Sequence, residues 1–125
     1  MGKNQNSQAF DVTDEYYKEL DDAAVTLAEA EYQLSLLTDG VDIVEKTLMY
    51  KADLDFKEQT GSGKTLAVDL QRREAKRSQE YANVVRAKAA AKRAQSLARS
   101  RRADMEMKFD EWRTRSADRR KNNSY

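Results

Sequence analysis

The chain contains no cysteine and no histidine. Disulfides, thiol chemistry and the usual zinc ligand sets are therefore excluded, and no Ser/His or Cys/His pair is available for nucleophilic catalysis. Proline is also absent, so nothing forces a kink or a stop within a helix. Glycine occurs only four times in 125 residues. No apolar run approaches the roughly 20 residues that span a bilayer, and the opening MGKNQNSQAF lacks the apolar stretch of a signal peptide. The acidic residues are scattered over helix surfaces, which leaves acid–base catalysis without a visible site. The expectation is a soluble cytoplasmic protein (host cytoplasm if the source is viral) that is not an enzyme and has no cofactor, no metal and no membrane partner.

Charge is what the chain has in abundance. Charged residues make up 36% and the hydrophobic class 39%, much of it alanine. Leu, Ile, Val and Phe are too few for a thick globular core, and the composition suits long helices or a coiled coil. The net charge of +1 conceals a division: residues 1–60 hold 5 Lys/Arg against 14 Asp/Glu, net −9, and residues 61–125 hold 18 against 8, net +10. Two halves of opposite sign can pair, within one chain or between subunits. Alternatively the basic half can bind a polyanion such as nucleic acid.

Periodicity organises the rest. Residues 1–12 are polar and aperiodic, and read as a flexible arm. Thr13 or Asp14 is a natural N-cap, with Asp14 and Glu15 at the positive end of the helix dipole. Tyr16, Leu20, Ala23, Leu27, Ala30, Leu34 and Leu37 then alternate spacings of four and three, an a/d seam. Asp39-Gly40 is a good helix stop, either a short turn or a kink in a longer helix. Beyond it, Val41, Val44, Leu48 and Ala52 make one stripe and Ile43, Thr47, Tyr50 and Leu54 another. Thr60-Gly61-Ser62-Gly63 is a second breaker and the natural corner of a hairpin. The spacing predicts acidic helices over 13–59, a glycine turn over 60–64, a long basic helix over 65–119 and a frayed tail over 120–125, all within one helical domain 13–119. At ~1.5 Å per residue the long helix would extend roughly 80 Å. One chain of this size cannot cover that length with core, so self-association is expected.

The most distinctive stretch is ANVVRAKAAAKRAQSLARSRRA, Ala82 to Ala103. It holds Arg86, Lys88, Lys92, Arg93, Arg99, Arg101 and Arg102 and no acid. Alanine, arginine, lysine and glutamine are strong helix formers. A solvated face normally mixes signs at i,i+4, and none of these cations has an acid within the stretch to pair with. Either the acidic half neutralises them, or a polyanion does, with counterion release and a steep salt dependence. Membrane binding ranks third, because the bulky apolar face of interfacial helices is missing.

Thr60-Gly61-Ser62-Gly63-Lys64-Thr65 resembles a nucleotide-binding phosphate loop. However, Glu58 stands where the first glycine of that pattern belongs, and the preceding Leu54-Asp55-Phe56-Lys57-Glu58 is not a buried strand. The simpler reading is a glycine turn in which Thr65 caps the following helix, with Lys64 and free amides able to touch phosphate. Tyr50-Lys51 and Phe56-Lys57 set aromatics beside cations, a combination suited to base stacking and phosphate contact on single strands. Tyr16, Phe109 and Trp112 are read as core.

Lys51-Ala52-Asp53-Leu54-Asp55-Phe56, followed by the glycine turn, resembles the K-A-x-L-D-[YF]-[YF]-x-G stretch of the UvsY-like recombination mediators of tailed phages. Asp110-Glu111-Trp112-Arg113 is similar to the aromatic–arginine ending of several members. Asp53 stands where that family's motif usually carries a second cation. The resemblance implies an all-helical homo-oligomer that binds single-stranded DNA, contacts a single-strand-binding protein and helps load a recombinase. Lys51 carries over as a DNA contact, with Lys57 and Lys64 as substitutes from neighbouring positions.

The expected fold is all-α, a long antiparallel helical hairpin or coiled coil in an oligomer. The expected nucleic-acid contacts are Lys51, Lys57, Lys64, Arg86, Lys88, Lys92, Arg93, Arg99, Arg101 and Arg102, with Tyr50 or Phe56 stacking on bases. The alternative is a structural, scaffold or adaptor protein whose acidic and basic halves pack together.

Overall fold

A computed structural model describes residues 11–123. Among these residues the protein is all-α, without strands: α1 spans Asp14–Thr60, α2 spans Val68–Lys76 and α3 spans Gln79–Asn123. The chain divides into two compact units. One combines the described residues up to Glu29 with those from Gln95 onward, and the other is Ala30–Ala94.

Helix α1 begins as its cap dictates. Thr13 Oγ1 accepts the N–H of Tyr16 at 3.2 Å, and the carbonyl of Thr13 accepts the N–H of Tyr17. The Thr13 side chain thereby satisfies one of the donors that a helix start leaves unpaired. Of the arm expected over 1–12, residues 1–10 lie outside the described residues. Asp11 and Val12 are held: Asp11 accepts a hydrogen bond from Trp112, and Val12 packs on the first unit's core.

In the first unit, Tyr16, Ala23 and Met105 form a buried cluster against which Val12, Leu20 and Phe109 pack. Leu27 and Ala98 are buried as well. The Tyr16 ring stacks on Phe109 at 6.0 Å and 11°, and Phe109 meets Trp112 at 5.9 Å. Such ring pairs contribute roughly 0.5–1.5 kcal/mol beyond the area they bury. The Tyr16 hydroxyl donates to the Met105 carbonyl at 3.1 Å. Burial, with the nearby Tyr17, Glu106 and Asp110, pushes its pKa above 10.0. Tyr16, Phe109 and Trp112 are thus structural side chains.

Of the two alternatives at Asp39-Gly40, the chain takes the longer helix and not the short turn, since α1 continues through both residues. A glycine ends a helix by adopting the left-handed conformation, and among the described glycines only Gly61 has a positive φ. The reason lies in the seam. Tyr16, Leu20, Ala23, Leu27, Ala30, Leu34, Leu37, Val41, Val44 and Leu48 keep alternating four and three, and every one is buried or half-buried. A stop at Gly40 would forfeit the register of Val41, Val44 and Leu48. That outweighs the ~1 kcal/mol by which a helical glycine is worse than alanine.

The second unit turns where the other glycines stand. Gly61, at φ +63°, ends α1 in the left-handed conformation, and residues 61–67 form the loop. Thr65 does not cap the helix that follows: Ala67 occupies the N-cap of α2 and no side chain caps it. The long basic helix expected over 65–119 is also interrupted. Arg77 and Ser78 donate N–H groups back to Glu74 and Ala75, closing α2 with tightened turns, and Ser78 Oγ then accepts the N–H of Glu80 at 3.2 Å. A serine that serves as an N-cap ends one helix and begins another. The tail is not frayed at its start, since α3 continues through Lys121 to Asn123, and residues 124–125 lie outside the described residues.

Helix α3 carries a seam that the sequence conceals. Tyr81, Val84, Lys88, Ala91, Gln95, Ala98, Arg102, Met105, Phe109, Trp112 and Ser116 alternate three and four, and all but Arg102 are buried or half-buried. Val84, Ala91, Ala98, Met105 and Trp112 repeat every seven residues. Lys88, Gln95 and Arg102 occupy the companion positions and break the apolar pattern.

Candidate nucleic-acid interface

The proposed contacts fall into three groups. Around the end of α1, Lys51 is exposed and Phe56 half-buried. Both line a groove of about 500 Å³ in the second unit, whose wall includes Leu48, Leu66 and Leu70, with Asp55 and Glu74 on it as well. Lys51 thus shares its groove with two carboxylates. Tyr50, though adjacent in sequence, is 66% exposed and does not line the groove. The fold therefore brings Lys51 to Phe56 and separates both from Tyr50.

Lys57 is not free. Its Nζ lies 3.1 Å from Asp53 Oδ2, and Asp53 is buried. The other oxygen of Asp53 accepts the backbone N–H of Leu66 at 2.8 Å. The Leu66 amide first, and then Lys57, hold the Asp53 carboxyl below its ordinary pKa of 3.8. A charged acceptor with two donors is a strong anchor, so this residue fixes the glycine loop to α1. In the sequence Asp53 stands out only as a missing cation. Its neighbours along the chain do not reveal the bond, because Leu66 lies thirteen residues away.

The loop is not an open phosphate cradle. The amide of Ser62 donates to Thr60 Oγ1 at 3.3 Å, that of Lys64 to Ser62 Oγ at 3.0 Å, and that of Leu66 to Asp53. Three of the donors an anion would need already have acceptors. Lys64 itself is exposed.

The basic stretch is split between the units. In the second unit, Arg86, Lys92 and Arg93 are exposed and Lys88 is half-buried. Arg86 and Arg93, seven residues apart, stand on the face of α3 opposite the seam, and Lys92 flanks the seam. Among the described residues, none of these four cations has a carboxylate partner. In the first unit, Arg99 and Arg101 are likewise exposed and unpaired among the described residues. Arg102 pairs with Glu106 at 3.2 Å, one turn along its own helix. Arg72 pairs with Glu45 at 3.3 Å and so links α2 to α1.

Two further cations are absent from the set expected from sequence. Arg73 and Lys76 are exposed on α2 and have no partner among the described residues. Their three-residue spacing was the available signal, masked by the expectation of one unbroken helix.

No helix among the described residues is long and apolar enough to cross a membrane. No group of three or more acidic side chains among them is placed to hold a metal ion. Compared with protein-family models, with curated proteins and with solved structures, this chain matches none.

Proposed function

We propose that this protein is a non-enzymatic nucleic-acid-binding accessory protein of the cytoplasm that acts as a homo-oligomer on single-stranded DNA. The observation that carries this reading is the set of unpaired cations on α3: Arg86, Lys88, Lys92 and Arg93 in one unit and Arg99 and Arg101 in the other have no carboxylate partner among the described residues. A helix this densely charged repels itself, and phosphates relieve that repulsion with release of counterions. The exposed cations bind phosphate, and Phe56 beside Lys51 offers a face for a base.

The narrower role is that of a recombination mediator, which helps load a recombinase and contacts a single-strand-binding protein. It rests on the resemblance of Lys51–Phe56 and Asp110–Arg113 to the UvsY-like proteins. Contacts within each unit support the antiparallel hairpin: Asp11 meets Trp112 while Tyr16 meets Met105, and a Cβ at Gly40 would lie 3.8 Å from Val84 Cγ2 while Glu45 meets Arg72. The second reading is an assembly or adaptor protein, favoured by exposed apolar side chains on α1 such as Ile43 and Tyr50.

The deciding experiment is binding of a labelled single-stranded oligonucleotide across a salt series, with mass measured by light scattering. Tight binding by an oligomer, with a steep negative slope of log K against log salt, is expected. No binding at low salt by a stable oligomer would transfer the cations to subunit packing and leave the assembly reading.

A further inference from the structure

Helix α1 is apolar on two opposite faces, and among the described residues only one of them has a partner. The seam through Leu34, Leu37, Val41, Val44 and Leu48 faces inward. Within the second unit, Tyr32, Leu36, Ile43, Tyr50 and Leu54 stand on the other side of the helix, exposed by 58, 48, 63, 66 and 46%. Their spacings are four, seven, seven and four, so at 3.6 residues per turn they form one straight stripe. A solvated helix face does not collect two tyrosines, two leucines and an isoleucine in line. Such a line of exposed apolar side chains, edged by Asp39 and Lys46, has the make-up of a contact surface.

The stripe reads the same in both directions about Ile43. If a second copy of α1 lies antiparallel across it on a two-fold axis through Ile43, Tyr32 comes level with Leu54 of the second copy. Leu36 comes level with Tyr50 of the second copy, and Ile43 meets its own equivalent. This is the self-complementarity that an isologous interface requires. Charge follows the same symmetry. Asp39 and Lys46 lie on one edge of the stripe, seven residues apart. In the two-fold arrangement Asp39 of each copy comes within one residue, about 1.5 Å along the axis, of Lys46 of the other. Two ion pairs form, one on each side of the axis. Asp39 has no partner among the described residues, and Lys46 is held only by the exposed Asp42 at 3.1 Å, a pair that rearranges at little cost. Beyond Leu54 the match ends, because Glu58 would come level with residue 28 of the second copy, next to Glu29.

We infer that the outer stripe of α1, from Tyr32 to Leu54, is an antiparallel dimer interface centred on Ile43, occupied by a second copy of this chain. The five side chains offer on the order of 500 Å² per copy. The two copies together thus bury about 1,000 Å², below the roughly 1,200–2,000 Å² of total surface of stable specific interfaces and in the range of transient ones, so the dimer dissociates on dilution. The inference gives an interface to the self-association proposed above and is independent of nucleic-acid binding.

The absence of cysteine makes the geometry directly testable in the full-length chain without nucleic acid. A short thiol-to-thiol cross-linker is expected to join Ile43→Cys chains into dimers, since two copies of residue 43 meet on the axis. Leu36→Cys chains are expected to remain monomers under the same treatment, because two copies of residue 36 lie about 21 Å apart along the axis. The double variant Leu36→Cys/Tyr50→Cys is expected to cross-link again. Separately, Ile43→Lys is expected to weaken dimerisation by more than about tenfold in sedimentation equilibrium with unchanged helical circular dichroism, because residue 43 faces solvent in the isolated chain. Cross-linking of Leu36→Cys as efficiently as Ile43→Cys would mean a parallel or unrelated contact and would overturn the inference. So would an Ile43→Lys variant of unchanged mass distribution, or a wild-type chain that stays monomeric at every concentration. Loss of dimer with retained oligonucleotide binding, or the reverse, separates this interface from the functional reading.

Discussion

The carboxylate of Asp53 and the backbone amide of Leu66 meet at 2.8 Å, and this one bond fastens the glycine loop to the end of α1. Asp53→Ala is expected to raise hydrogen exchange through residues 61–67 while α3 stays protected. Because the folded carboxyl titrates below 3.8, its ordinary value, the anchor is at full strength above that pH. It is lost as pH falls through the lowered folded value. Exchange in the loop should therefore be independent of pH-driven unfastening at neutrality and rise only in strong acid, once corrected for intrinsic rates. Asp53→Asn keeps an acceptor for Leu66 but releases Lys57 and removes a negative charge. It is expected to tighten single-strand binding, and weaker binding would mean that the fixed loop geometry matters more than the freed cation.

Replacing Lys92 and Arg93 by alanine removes two exposed cations, one beside the α3 seam and one on the opposite face. Each phosphate that a cation no longer neutralises reduces the salt slope by ~0.7 on single strands, so the double variant should flatten it by roughly 1.4 with helicity retained. A variant that loses helicity instead would make these cations structural.

Two glycines should respond in opposite directions. Gly40 is helical, and a Cβ there would meet Val84 Cγ2 at an ordinary 3.8 Å. Gly40→Ala is expected to stabilise by about 0.5–1 kcal/mol, the gain in helix propensity. Gly61, at φ +63°, has open space around it but a backbone that disfavours a side chain, so Gly61→Ala is expected to destabilise by about 1 kcal/mol. Denaturant midpoints of the two variants against the wild type check both signs.

Ser78 separates α2 from α3. Ser78→Ala removes the acceptor of the Glu80 amide and is expected to cost about 1 kcal/mol. Faster exchange should be confined to residues 79–82. A more helical and more stable variant would show that the interruption is imposed by Ser78 against the preference of its neighbours.

Where apolar residues filled both seam positions, the sequence was legible. The frame from Tyr16 to Leu37 is buried or half-buried as its spacing implied, and Thr13 caps α1. At Gly40 the sequence left a short turn and a longer helix open, because local propensity argues for a stop whereas the register from Leu37 to Val41 argues for continuation, and packing outweighs propensity. The α3 seam was hidden because Lys88, Gln95 and Arg102 stand at core-facing positions. Between the stripes Val41/Val44/Leu48/Ala52 and Ile43/Thr47/Tyr50/Leu54, periodicity alone could not choose. Only the position of the other helices makes the first the inner one. Among the candidate contacts, exposure of most cations could be read from their lack of local acids. The engagement of Lys57 by Asp53 could be suspected from their i,i+4 spacing, but the burial that strengthens it arises from the loop folding back.

Trp112 is the one tryptophan in the chain, and its indole N–H donates to Asp11 Oδ1 at 2.7 Å while its ring lies against Phe109. The protein therefore carries an intrinsic optical probe of the contact between its N-terminal segment and α3. Indole emission will shift to longer wavelength when that segment lifts away, and it can be followed without a label during assembly, titration or dilution. Asp11→Ala, which removes only the acceptor, separates the effect of the lost hydrogen bond on that spectrum from the effect of undocking.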